Sequence, residues 1–270
     1  MFLSVIIITW NSKQYVKDCI VSVLDSCRNI SSEIIVVDNG STDNTKEIIK
    51  SFHSERITLL PQNENLGVAR ARNIGIKQAK GRYIWILDID TVVNSETIQV
   101  MLHFMEETPR CGICACKLIN SDGEVQDSCR KLPTIRYKIN NVLETVLSRF
   151  PGFSSLKRRI HTRNESQFYR KEINAQLPFE VEYVIGACQV IRQKVFDDVG
   201  LFDEKIFYGP EDADFCLRAK EKKWHVFCIP AYTIIHEYQR MTNKKLISKM
   251  SWIHAKALFY YFLKHKNSLE

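Results

Sequence analysis

The sequence predicts an α/β fold, a mainly parallel central sheet flanked by helices with a basic helical extension at the C-terminus. Two observations carry this. Strand-like and helix-like segments alternate four times within residues 1–107, joined by short connections, as parallel crossovers require. Each of the first strands is an uninterrupted apolar run, the pattern of a strand covered on both faces.

Phe2 to Thr9 is the first such run. It resembles a signal core but lacks a basic leader and a small-residue cleavage site, so it is expected to be a buried strand. Asn11 or Ser12 can cap a helix whose stripe is Tyr15, Val16, Cys19, Ile20, Val23 and Leu24. Glu33 to Val37 is the second strand, ending at Asp38, and turn chemistry at residues 39–43 leads into a helix from Asn44 to Phe52. A short strand at Ile57 to Leu60, a turn at Asn63 to Gly67 and a helix from Val68 to Ala79 follow. Tyr83 to Leu87 is the fourth strand, ending at Asp88-Ile89-Asp90, and a helix runs from Glu96 to Glu107 before Pro109. In such sheets ligands bind at the carboxyl ends of the strands, where Asp38, Asp88 and Asp90 fall.

Beyond Gly112 the pattern changes. Ile113 to Ile119 reads as a strand and Ser121-Asp122-Gly123 as a hairpin turn, while residues 134–180 are weakly patterned and basic. Val181 to Ile191 reads as one strand around Gly186. Helices are expected at Val195 to Val199 and Asp212 to Lys222, a strand at Trp224 to Ile229 closed by Pro230, and a helical tail from Leu246. Cys114 and Cys116 alternate onto one strand face without a completing ligand set, so they read as core rather than zinc ligands.

Composition narrows the function classes. At 45% apolar the chain is not disordered, and no apolar run approaches the roughly 20 residues of a membrane span. Nine cysteines without framework spacing suggest a reduced, cytoplasmic setting. The charge of +7 is unevenly distributed. Residues 149–171 hold seven basic and one acidic side chain, residues 172–216 three and ten, and residues 217–270 eleven and three, while residues 1–148 are balanced. That is not the uniform basic face of a nucleic-acid binder, and no nucleic-acid partner is expected. No glycine-rich dinucleotide or P-loop fingerprint follows the first strand, and Thr9-Trp10-Asn11-Ser12 stands where a sugar nucleotidyltransferase needs a glycine-rich basic loop. Alternation points Asp88 and Asp90 to the same side, and hard carboxylate oxygens suit Mg²⁺ or Mn²⁺ carrying a diphosphate; capping the next helix is their structural alternative.

The ordered motifs SVIIITWN, VVDNGSTD (36–43), NENLGVARARNIGI (63–76), ILDIDT (86–91) and the long block from Gly186 to Arg218, with His236 after it, resemble family 2 glycosyltransferases of the GT-A fold. The later block most resembles their rhamnosyltransferase-like branch. The resemblance spans about residues 3–240. It implies a domain over 1–240, with a nucleotide-sugar half (1–119) and an acceptor half (120–240), followed by the extension 241–270. It implies an inverting, metal-dependent transfer from a UDP- or dTDP-sugar to a glycan acceptor, lipid-linked at the inner membrane face, in bacterial surface-polysaccharide synthesis. Thr9, Asn11, Asp38, Asn65, Gly67, Arg70 and Asp88 would bind the nucleotide, with Asp38 accepting the base N3–H and Asp88 serving the ribose or a water beside the metal. Asp90 and His236 would hold the metal, and Asp212 would be the general base beside Glu211. Asp212 also stands at a helix start, where capping is its alternative. Gly186, Ala187 and Cys188 would line the sugar pocket. The lysine- and aromatic-rich tail is compatible with anionic lipid, packing on the domain, or a homodimer. A non-catalytic glycan-binding homologue is the rival from another class, disfavoured by the intact Asp88, Asp90, Glu211 and Asp212.

Overall fold

A computed structural model describes residues 1–147, 154–237, 249–266 and 268. The expected alternation is present: β1 (Leu3–Thr9), α1 (Val16–Ser26), β2 (Ser32–Asp38), α2 (Thr45–Lys50), β3 (Ile57–Pro61), α3 (Val68–Gln78) and β4 (Tyr83–Asp88). These four strands pair in parallel in the order β3-β2-β1-β4. Side chains of β1 alternate between two apolar layers. Val5 and Ile7 join Ile20, Val23, Trp85 and Met101 on one face, and Ile6 joins Ala71, Ile84 and Phe215 on the other. Covering both faces is what makes the strands read as continuous apolar runs.

The second half makes the sheet a mixed one. After β5 (Thr91–Val93) and α4 (Thr97–Glu107) come β6 (Cys111–Ile119), β7 (Cys129–Arg130), α5 (Ile135–Leu147) and α6 (Ser154–Glu165). Then follow β8 (Phe179–Glu180), β9 (Tyr183–Val184), β10 (Cys188–Arg192), α7 (Gln193–Val199), α8 (Glu211–Glu221), β11 (His225–His236) and α9 (Lys249–Lys264). β10 runs antiparallel between β4 and β6, and β11 lies parallel to β6 with β5 antiparallel on its outer side. The 120s turn forms as expected, with Gly123 in the left-handed region at φ 86° and an isolated bridge between Ile119 and Val125.

Several expectations are corrected. α1 begins at Val16 without a side-chain cap; Asn11 sits at φ 50° and its Oδ1 instead accepts the Thr42 N–H at 2.8 Å, tying together the loops after β1 and β2. Val181 to Ile191 holds two strands, β9 and β10, and Gly186 between them gives its carbonyl to Arg72 and its N–H to Asp212 instead of to a neighbouring strand. Pro230 does not close the last strand. β11 continues to His236, and against β6 it carries three extra residues, 230–232, between the Ile229–Cys116 and Thr233–Lys117 pairs, starting where proline has no N–H to give the ladder. The "weakly patterned" stretch contains α5 and α6. All nine cysteines are buried and free, consistent with core roles for Cys114 and Cys116.

The tail packs on the domain through one face of α9. Tyr261 is fully buried in the second apolar layer, and Ala257 is nearly so. His265 and Lys264 converge on the buried Asp214 at 2.7 and 2.6 Å, and Lys264 and Tyr260 both reach Asp203. The expected 240/241 boundary falls outside the described residues. Burial works against charge on Asp214, yet His265, Arg218 and Lys264 outweigh it and pull the carboxyl down to about 2. A depressed carboxyl stabilises the fold above its unfolded-state range near pH 4, and that contribution drains away as pH falls from there toward 2. Asp214→Asn should therefore destabilise the protein by about 3 kcal/mol in neutral urea titrations, with the difference from wild type shrinking below pH 4.

Candidate active site

The carboxyl ends of β1, β2 and β4 form one rim. Asp38 ends β2 fully buried; its Oδ2 accepts the Ser41 N–H at 3.1 Å, and its Oδ1 has no hydrogen-bond partner. Thr9, at the end of β1, also has a buried hydroxyl without a partner. Unpaired buried acceptors are costly, so two side by side on adjacent strand ends are groups that a ligand with donors would satisfy.

The turn before α3 is held internally. Asn65 Oδ1 accepts from the Gly67 N–H and from Asn39 Nδ2, both at 3.0 Å, and Asn39 Oδ1 accepts the Leu66 N–H. Gly67 has φ 84°, and a Cβ there would fall 2.7 Å from Phe207. Asn65 and Gly67 thus shape the loop against residue 207, and Asn39, not singled out by sequence, is their partner. Arg70 points outward, 3.9 Å from Glu204 and more than half exposed.

Arg72 is the arginine that enters the site. Its guanidinium is buried and donates to Glu211 Oε1 (3.1 Å), Asp88 Oδ1 (3.2 Å) and the Gly186 carbonyl (3.0 Å), above the Phe202 ring. A Cβ on residue 186 would lie 2.3 Å from the guanidinium nitrogens, so only glycine permits this approach. Gly186 then donates its N–H to Asp212 Oδ2 at 3.2 Å. The side chains of Ala187 and Cys188 lie in the core, with the Cys188 sulfur 3.4 Å from Trp85 Nε1, while the Ala187 carbonyl accepts the Asp88 N–H at 3.1 Å. Asn73, on the same helix, clamps Phe202 and Glu204.

At the other end of Asp88 lies the acidic cluster. Ligand atoms of Asp88, Asp90 and His236 all lie within 4.8 Å of one another. β5 makes this possible: its pairing sets His236 opposite Thr91, and the Glu237 N–H donates to the Asp90 carbonyl. Gln126, also not singled out by sequence, holds the imidazole through Nδ1 (2.8 Å) and the His236 carbonyl (2.7 Å), leaving Nε2 facing Asp90 Oδ1 at 3.4 Å. One imidazole nitrogen oriented from behind, with two carboxylates in front, fits a divalent cation such as Mg²⁺ or Mn²⁺. Without one, burial would lower the His236 pKa, but the adjoining Asp90 and Asp88 raise it. Loss of solvation raises the Asp88 carboxyl, with Arg72 opposing.

Glu211 and Asp212 open α8 with different surroundings. Glu211 is buried, and burial together with the Asp212 charge pushes its carboxyl up to about 7 against the pull of Arg72. Asp212 is only half-buried, and its Oδ1 accepts the Ala213 N–H. Beside the cluster is an open cavity of about 1200 Å³, lined by Gln126, Asp127, Arg130, Tyr137, Phe168 and Glu237 among others.

Removing Arg72 would leave the buried Glu211 charge unpaired. Arg72→Ala should cost about 3–5 kcal/mol in urea unfolding, and much of that loss should vanish when Glu211→Gln is added, whereas Arg70→Ala should stay within about 0.5 kcal/mol of wild type.

Residues 4–200 match the family described as Glycosyl transferase family 2. The chain is 27% identical over 247 residues to the N-acetylglucosaminyl-diphospho-decaprenol L-rhamnosyltransferase of Mycobacterium tuberculosis, covering 87% of this chain and 75% of the relative. It is 40% identical over 104 residues to the Escherichia coli glucosyltransferase WfaP, covering 38% of this chain and 41% of that protein; WfaP is described as transferring from UDP-Glc to α-D-GlcNAc-diphosphoundecaprenol. Among solved structures it superposes on GalNAc-T7 with UDP, GalNAc and Mn²⁺ at TM-score 0.68 and 16% identity, over 97% of this chain and about half (47%) of that one. It also superposes on Staphylococcus aureus TarS with UDP-GlcNAc at TM-score 0.61 and 17% identity, over 99% of this chain and 67% of that one. These likenesses show the GT-A fold, and with the motif-bearing rim of β1, β2 and β4 inside the matched region, the chain belongs to glycosyl transferase family 2.

Proposed function

We propose that this chain transfers a sugar, with inversion, from a UDP- or dTDP-sugar to a lipid-linked glycan during synthesis of a cell-surface polysaccharide. The observation that carries the reading is that Arg72 and Gly186 join the Asp88–Asp90–His236 cluster to Asp212 across the carboxyl edge of the sheet. Donor side and acceptor side are thereby parts of one rigid constellation. The mycobacterial relative and WfaP, by their names, act on GlcNAc-diphospho-polyprenols, which supports a lipid-linked acceptor here.

In this reading Thr9 and Asp38 meet the base, Asp38 Oδ1 accepting the N3–H of a uracil or thymine. Asn11, Asn65 and Gly67 shape that pocket from behind. Asp90 and His236 would hold Mg²⁺ or Mn²⁺ alongside Asp88, and the bound cation supplies charge that neutralises the departing diphosphate. Asp212 takes the proton of the acceptor hydroxyl as that oxygen attacks the anomeric carbon from the face opposite the leaving group. Glu211, buried and locked to Arg72, positions the start of α8. The adjoining cavity, with Tyr137 and Phe168 beside carboxylates, has the aromatic and polar lining suited to acceptor sugar rings. The protein would work from the cytoplasmic side, peripherally at the membrane that carries its acceptor.

Asp212→Asn should lower sugar transfer to a GlcNAc-diphospho-lipid by ~100-fold or more while donor binding in calorimetry stays within a few-fold of wild type. Normal transfer by that variant would remove Asp212 from its role.

A further inference from the structure

α5 is unusual in this domain, because none of its thirteen residues is buried. It nevertheless carries Ile135, Ile139, Val142 and Val146 at intervals of four, three and four residues, with Leu143 beside them. That spacing puts all five on one face, and each is 44–64% exposed. The opposite face is the one with partners: Glu144 binds His161 and Asn164 of α6, and Tyr137 packs edge-on to Phe168. α6 in turn exposes Lys157, Arg158, Arg159 and Arg163, within the most basic short stretch of the chain.

An aliphatic helix face with Arg136 exposed at its edge and the basic α6 packed behind it is complementary to one kind of surface, an apolar layer edged with negative charge. We propose that the α5 stripe, with the basic α6 beside it, is the face on which this protein rests on an anionic lipid bilayer. The inference deepens the lipid-linked-acceptor reading and rests on it. The inner side of α5 supplies Tyr137 to the cavity beside the cation cluster, so the same helix separates that cavity from the proposed lipid surface. A polyprenyl-linked sugar could then present its saccharide to the cavity while its chain stays in the bilayer. The basic tail, which the sequence suggested for this purpose, spends one face of α9 on the domain.

The test is co-sedimentation of the full chain with vesicles of phosphatidylcholine alone or mixed with phosphatidylglycerol, using wild type, Ile139→Glu/Val142→Glu and Trp252→Ala/Phe259→Ala. Wild type should pellet with the phosphatidylglycerol vesicles only, and high salt should release it. The α5 variant should bind at least about tenfold more weakly, the α9 variant nearly as wild type, and analytical ultracentrifugation without vesicles should give all three the same mass. Calorimetry of Mn²⁺-dependent nucleotide binding checks folding, since neither pair touches the rim. Unchanged vesicle binding by the α5 variant, loss confined to the α9 variant, or a wild-type oligomer that the α5 variant splits (a second copy covering the stripe) would each overturn the inference. If vesicle binding fails while nucleotide binding persists, only the bilayer face is wrong. If nucleotide binding itself is absent from wild type, the functional reading fails.

Discussion

The site depends on one buried guanidinium. Arg72 comes from α3, yet its three acceptors belong to the end of β4, the break between β9 and β10, and the first turn of α8. A planar cation with fixed donor directions can satisfy three such acceptors at once, which a lysine ammonium cannot do with the same geometry. Two carboxylates and a carbonyl would otherwise face one another at low solvation, and even with Arg72 present burial and the neighbouring Asp212 push the Glu211 carboxyl up to about 7. Gly186 follows from the same demand, since any side chain there would occupy the space of the guanidinium.

The Asp88–Asp90–His236 cluster is built by a different device, sheet pairing. β5 is only three residues long, but by pairing with the end of β11 it fixes His236 against the loop that carries Asp90. Gln126 then sets the ring orientation from behind. Site residues separated by about 150 positions in sequence are thus held by backbone ladders and one hydrogen-bonded imidazole, not by flexible loops alone. α5 likewise stands between the cavity beside the cluster and solvent, with its aliphatic face left without a protein partner among the described residues.

What could be read from the sequence was local. β1 to β4 were legible because burial on both faces leaves an uninterrupted apolar run, and Asp38, Asp88 and Asp90 because strand ends are where such runs stop. The motif resemblance points to Arg70, yet the sequence holds a signal for Arg72: Ala69, Arg72, Asn73 and Ile76 share one helical face, and that face is buried. β5 and the far half of β11 were not legible. A three-residue edge strand has too few positions to show alternation, and Pro230 reads as a stop unless the extra residues against β6 are known. Gln126 gave no signal, because its role exists only once the 120s turn folds back on His236. Of the tail's three readings, packing on the domain is the one the described residues show, with Tyr261 in the second apolar layer and His265 on Asp214.

In the proposed function, unpaired acceptors on Thr9 and Asp38 and the Asp88–Asp90–His236 cluster form one donor site for a pyrimidine nucleotide and a divalent cation. The most direct measurement is calorimetric titration with UDP, dTDP, GDP and ADP, each with and without Mn²⁺. The account predicts binding of UDP or dTDP that requires Mn²⁺, with GDP and ADP far weaker. Equal binding of all four nucleotides, or binding indifferent to Mn²⁺, would contradict it.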